Sequence, residues 1–222
     1  MFWNLQVGYD NALQKQLGTS GAENFIATVW VHVQPYFCLP SLKTKILVER
    51  LPGIKHYTDV DFTSYNLRKM WSHTVRDLDG ADLMFYMGTK GGYQWGHGGG
   101  KGYVGVVCKR RKSQQKYKAA VGHWGTIPAM VAEMVSHEIG HNLGMNHDHH
   151  TSHGGTGNHV TSTNACNHQG VMSYGKHPKQ WSTCSVKDFT AHYYSLKDNW
   201  CLPGECLFWF KKMKLYALSS RK

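Results

Sequence analysis

Between His137 and His147 the chain reads His-Glu-Ile-Gly-His-Asn-Leu-Gly-Met-Asn-His, which fixes a histidine, a glutamate, a second histidine, a glycine and a third histidine at set offsets. Residues four apart on a helix lie one above the other, so His137 and His141 can reach a single point. Glu138, directly after the first histidine, projects beside that point, where a carboxylate can hold a water. Gly144 can take the left-handed conformation that ends a helix and turns the chain sharply. That turn brings His147 back as a third nitrogen. Three nitrogens at about 2.0–2.1 Å from a zinc ion leave its fourth position open, which is the arrangement of a catalytic site and not of a structural one.

Five fixed positions arise by chance in a chain of this length about once in ten thousand, from residue frequencies applied to the pattern. The chain has 15 histidines, and His147, His149, His150 and His153 form a local run. Binding by such a tract needs no glutamate or glycine at fixed offsets, so the run does not account for the motif. The residues before it predict an amphipathic helix. Thr126 is placed to cap it, Pro128 sits in its first turn, and Ile127, Met130, Val131, Met134 and Val135 form an apolar face at helical spacing. On this reading Met130, Met134, His137 and His141 form one stripe turned toward the interior.

The remaining pattern is layered. Strands are expected at Leu5–Val7, 45–51, 81–87, Tyr103–Cys108 and Ala119–His123, with helices over 11–33, 65–78 and 186–196. Alternation of strands and helices through the first 145 residues predicts an α/β fold, followed by a loop-rich remainder. Gly88 to Gly102 is glycine-rich, but Lys101 is followed by Gly102, so the phosphate-loop pattern fails and a flexible loop is expected. With 222 residues, 41% hydrophobic, the chain suits one domain with a smaller subdomain. No apolar run approaches the roughly 18 residues of a membrane helix.

Six cysteines, Cys38, Cys108, Cys166, Cys184, Cys201 and Cys206, include no CxxC pair. Disulfides in an oxidising compartment follow from that count, so a secreted, extracellular setting is expected, with any signal peptide and propeptide outside this sequence. The formal charge of +11 favours acidic partners, such as sulfated matrix sugars, anionic membranes or nucleic acid, and an acidic matrix polysaccharide is one candidate. No nucleic-acid module accompanies the charge, so nucleic acid is not an expected partner. Lys109 to Lys112 is read as a solvated loop, and the basic-aromatic tail 207–222 is left unassigned.

The His-Glu-x-x-His-x-x-Gly-x-x-His pattern with a downstream methionine resembles the metzincin signature. Asp148, directly after the third histidine, makes the chain most similar to the adamalysin or reprolysin branch, which includes venom metalloproteinases and the ADAM and ADAMTS proteases. Met172, within Gly-Val-Met-Ser-Tyr, looks like the methionine that floors the metal. Cys108 after a Tyr-Val-Gly strand, Trp181-Ser-Thr-Cys184-Ser and Asn199-Trp-Cys201-Leu look like further landmarks. The likeness spans about residues 5–202.

The resemblance implies a twisted, mostly parallel five-stranded sheet with helices, plus a small irregular C-terminal subdomain. The catalytic domain would occupy 1–206, with an upper part of about 1–144 and a lower part of about 145–206. It implies one zinc ion held by His137, His141 and His147, Glu138 as general base, and protein or peptide substrates. An antiparallel edge strand comprising Gly102, Tyr103, Val104, Gly105, Val106 and Val107 would pair with the substrate. Cys108–Cys201 and Cys166–Cys184 are the implied bridges; Cys38–Cys206 follows only by elimination, with pairing of Cys206 to a downstream cysteine-rich domain as the alternative. Tyr174 stands two residues after Met172, an arrangement similar to astacins and serralysins, where that tyrosine reaches the metal. A packed aromatic is the preferred reading of Tyr174, with an extra ligand or oxyanion donor as the alternative. A Ca2+ site is poorly supported, because Gln6 stands where an acid is expected beside Asp82 and no asparagine follows Cys201. The rival readings are a catalytically silent binding module and an astacin-like or serralysin-like protease.

Overall fold

The computed structural model describes residues 2–42, 47–50, 53–59, 62, 64–78, 81–88, 99–107, 112–123, 125, 127–148, 166, 169–173 and 178–195. The expected tail at 207–222, Tyr174, Thr126, Cys108, Cys201, Cys206 and Lys109–Arg111 lie outside them.

Six strands fill five positions of one sheet. Strand β1 (Phe2–Asp10) is flanked on one side by β2 (Leu47–Arg50) and β3 (Lys55–Tyr57), which pair with its two halves in line with one another. On the other side come β4 (Leu83–Gly88), β6 (Ala119–His123) and finally β5 (Gly100–Gly102). All pairings are parallel except β5 with β6, which is antiparallel. The chain is thus α/β with a mostly parallel sheet, as its strand and helix alternation predicts.

A parallel sheet is covered on both faces, and the strand residues divide by parity. Leu83, Phe85 and Met87 of β4 join Leu5, Val7 and Tyr9 of β1 in the larger core. Met84 and Tyr86 face the other way, with Tyr57, Phe62, Leu67 and Met70. Each apolar side chain so buried contributes about 1.5–3 kcal/mol, and β4 is buried along its whole length.

Helix α1 (Asn11–Phe37) covers the larger core. Asp10 caps it by accepting from the Leu13 N–H, and Gly18, at φ 70° and ψ 168°, breaks its regularity. From there Ala22, Ile26, Val29, Trp30, Val33 and Phe37 form one buried stripe. The helix runs four residues beyond the expected end and includes Pro35 in its final turn. Gly21 does not interrupt it. The expected helix 65–78 is instead a 3-10 segment, Ser64–Met70, leading into α2 (Trp71–Asp77). A four-residue helix α3 (Lys112–Gln115) precedes β6.

The strand expected at Tyr103–Cys108 is not a strand over its described residues. The edge strand ends at Gly102, and Val104–Gly105 form a turn, with Gly105 at φ +63°. Residues Gly105, Val106 and Val107 spend their N–H groups on the carbonyls of His141 and Asn142, at 2.8, 3.0 and 3.1 Å, and so hang on a helix end instead of a neighbouring strand. Of the six positions expected for the edge strand, only Gly102 lies in it.

Candidate metal centre

Helix α4 (Pro128–Asn142) carries the motif. Its N-cap position is Ile127, and Pro128 occupies the first turn as expected. Val131, Ala132, Val135 and Ile139 bury its inner face against α1 and the sheet. Met130 departs from expectation: it is 55% exposed, because the inward stripe passes through Val131 and Val135, one residue further round the helix. His137 and His141 sit at the margin of that stripe, buried but open to a shared point.

The helix stops where the sequence says it must. Gly144 has φ +95°, its N–H bonds the His141 carbonyl at 2.8 Å, and the Met145 N–H bonds the Gly140 carbonyl at 3.0 Å. These are the two bonds of a Schellman ending, which satisfies carbonyls that the helix leaves orphaned. The turn carries His147 back over α4. Its Nε2 lies 2.9 Å from Nε2 of His141 and 3.1 Å from Nε2 of His137.

Two carbonyls aim the rings. His137 Nδ1 lies 2.7 Å from the Val171 carbonyl, and His141 Nδ1 lies 2.8 Å from the Met145 carbonyl. A carbonyl only accepts, so each Nδ1 carries the proton and each Nε2 presents its lone pair. Tetrahedral zinc at about 2.0–2.1 Å from each nitrogen spaces its ligand atoms by about 3.3 Å, close to the observed triangle. His137, His141 and His147 form a group that can hold a metal ion.

Glu138 completes the arrangement. It is buried, and burial pushes its carboxyl up to about 8, against the opposing effect of a hydrogen bond from the Gly102 N–H. Its Oε2 has no hydrogen-bond partner among the described residues. An orphaned buried carboxylate oxygen beside three converging imidazoles, two of them aimed by carbonyls, fits a metal with a coordinated water, which would supply the missing donor.

Met172 lies fully buried beneath the helix, where a Cβ on Gly140 would come within 2.6 Å of its Sδ. Trp181 packs at the same place, donating from Nε1 to the Tyr36 carbonyl at 2.7 Å. Asp148 is buried and points away from the histidine triangle. It accepts from Ser182 Oγ at 2.7 Å and from Ser185 Oγ at 3.3 Å, and its own N–H bonds the Met172 carbonyl. Ser182 Oγ in turn accepts from the Ser185 N–H at 3.0 Å, capping helix α5 (Thr183–Ser195).

Several supporting residues escaped the sequence reading. Asp188 on α5 accepts from the Asn146 backbone N–H at 3.0 Å and from its side chain at 3.2 Å, which holds the residue before His147. Asn142 donates to the carbonyls of Tyr103 and Ala119. Ser182, Ser185 and Asp188 lie 35 to 41 residues beyond the histidines, and single polar residues at such distances leave no periodic signal. Helix α5 also begins three residues earlier than expected. Cys166 and Cys184 form a disulfide, with Cα atoms 6.0 Å apart, and Cys38 is also disulfide-bonded. The other expected pairings involve cysteines outside the described residues. Gln6 Nε2 donates to the Gly53 carbonyl at 2.6 Å, and Asp82 accepts from the Asn4 N–H at 2.9 Å.

The family model described as "Metallo-peptidase family M12B Reprolysin-like" matches residues 42–148. The chain is 34% identical over 99 residues to "Zinc metalloproteinase-disintegrin-like atragin" from Naja atra. It is 32% identical over 99 residues to "Snake venom metalloproteinase-disintegrin-like mocarhagin" from Naja mossambica. Each match covers 45% of this chain and 14% of the relative, so the chain corresponds to a small part of those proteins. In fold it is similar to metalloproteinase-II from Bacteroides fragilis, with TM-score 0.51 and 16% identity over 86% of this chain and 52% of that one. A chain from a structure titled as a chaperone-substrate complex gives TM-score 0.53 and 16% identity over 88% of this chain and 34% of that one.

Proposed function

We propose that the chain is a zinc-dependent endopeptidase of the reprolysin-like branch of the metzincin metallopeptidases, acting on extracellular proteins; the family match over residues 42–148, which includes all three histidines, supports the reading. The observation that carries the proposal is the convergence of three imidazole nitrogens beside a buried, half-unpartnered glutamate. His137, His141 and His147 are the proposed ligands. A zinc ion held by them would supply Lewis acidity, which lowers the pKa of a bound water toward about 7 and polarises a carbonyl.

The chain's own residues do the rest. Glu138 takes the proton of the attacking water and passes it to the leaving amine nitrogen. The Val171 and Met145 carbonyls keep the rings from turning, and Met172 fills the space beneath them. The catalytic domain is proposed to span 1–206, divided at about 144. Among the described residues no helix is long and apolar enough to cross a membrane.

The deciding experiment is cleavage of a quenched fluorescent peptide library by the purified chain, with and without 1,10-phenanthroline. Chelator-sensitive cleavage, restored by zinc, is the expected outcome. A folded chain that holds one zinc and cleaves nothing would shift the reading to a silent binding module. Glu138→Ala should retain fold and zinc but lose cleavage at least about 10²-fold; near-normal turnover would exclude it as the base.

An acidic polysaccharide is the proposed second partner. Residues 83–132 contain eight Lys or Arg and no Asp or Glu. The Arg68 guanidinium and the Lys116 ammonium both lie over the Trp71 ring, 5.2 and 4.2 Å from its centre. Two cations gathered on one indole raise the local potential, and an extended polyanion relieves their repulsion. Arg68→Glu/Lys116→Glu should elute from immobilised heparin at clearly lower salt than Lys15→Glu/Lys187→Glu, which has the same net charge. Equal elution would assign the binding to overall charge.

A further inference from the structure

We infer that the edge strand β5 is the seat of the general base, with Gly100 and Gly102 as positioning residues for Glu138; this rests on the proteolytic reading above. Strand β5 crosses α4 at the level of Glu138 and His141. A Cβ on Gly100 would lie 2.6 Å from both Cγ and Oε1 of Glu138 and 2.7 Å from its carboxyl carbon. A Cβ on Gly102 would lie 2.5 Å from the Glu138 carbonyl oxygen and 3.1 Å from His141 Cβ. Neither glycine has a positive φ, so backbone conformation does not demand glycine at either place. Space for the glutamate does. The Gly102 N–H hydrogen-bonds the carboxylate, while Oε2 has no partner among the described residues and is left to a water.

The seat ties the base to substrate binding. Strand β5 pairs only with β6 among the described strands, so its outer edge can accept an extended peptide. A peptide paired there stiffens the same three residues that hold Glu138. Longer substrates therefore gain in kcat and not only in KM, because the added binding energy fixes a group that acts in the transition state.

Two substitutions and their combination test the seat. The three atoms nearest to a methyl at Gly100 all belong to the Glu138 side chain, so Gly100→Ala intrudes first on the glutamate. Glu138→Asp draws the carboxylate back by one methylene, about 1.5 Å, and vacates the space an alanine methyl would take. In an otherwise wild-type chain, Gly100→Ala should lower kcat about 100-fold with KM within twofold and zinc unchanged at one per chain. It should also lower the Tm of the metal-free protein by about 3–8 °C. Added to Glu138→Asp, the same alanine should cost under a third of those degrees and less than threefold in kcat.

Equal costs in both backgrounds, or an unchanged kcat with altered KM, would overturn the seat. Should Gly100→Ala fail to fold, recovery of folding in the double variant supports the seat and its failure there overturns it. A wild-type chain that cleaves nothing would remove the proteolytic reading, and the thermal cycle on metal-free protein would still decide the contact.

Discussion

Gly140 shows how much a single atom decides at this site. In a helix interior alanine is favoured over glycine by about 1 kcal/mol. Here the added methyl would meet Met172 Sδ at 2.6 Å and the Trp181 ring at 3.1 Å, a crowding that costs about 1–3 kcal/mol. Crowding wins, so Gly140→Ala should lower Tm by several degrees, read by thermal denaturation; a rise would show that Met172 moves aside freely. The motif pattern leaves this position unspecified, and nothing local in the sequence marks it. His137, Glu138, His141, Gly144 and His147 were legible because one helical turn and one left-handed residue fix their geometry. Gly140, Asp188 and Gly100 were not, since each is defined by what packs against it from a distant segment.

At the level of elements, the legible parts were those long enough to show a period. Strand β4 and helices α1 and α4 bury stripes that recur every two residues or every three to four. The edge strand is three residues, Gly-Lys-Gly, with no apolar alternation, and its placement was missed by several residues. Helix α5 is held through its first turn, where Ser182 both caps the helix and donates to Asp148. Ser182→Ala should therefore cost about 1–2 kcal/mol in urea denaturation. It should also weaken zinc binding about tenfold or more in a chelator competition, because the segment carrying His147 loses its anchor. A loss of stability with unchanged zinc affinity would separate the two roles.

At the scale of the whole molecule, Asp77 and Glu138 carry opposite pH signatures. Burial pushes the Asp77 carboxyl up, but hydrogen bonds from Arg76, Tyr57 and Lys55 outweigh it and hold the group well below its ordinary value of 3.8. Its stabilising contribution is present above that value and lost as the pH falls below it. Asp77→Asn should remove this acid limb from a plot of stability against pH. Glu138 is raised, so the metal-free fold binds its proton more tightly than the unfolded chain does. That contribution is present in acid and lost as the pH climbs from 4.5 toward about 8. Glu138→Gln should flatten this second limb in metal-free protein, as followed by urea denaturation at stepped pH.

The tie between Asn146 and Asp188 has a consequence in time. His147 leaves the ribosome 41 residues before Asp188, the acid that holds the residue preceding it. At about 5–20 residues per second, that is a delay of about 2–8 seconds. During it the Met145 carbonyl that aims His141 is already present, the Val171 carbonyl that aims His137 is still being added, and the turn carrying His147 lacks its tie to Asp188. Order of translation thus completes the histidine triangle in stages, and the anchor behind its third nitrogen comes last.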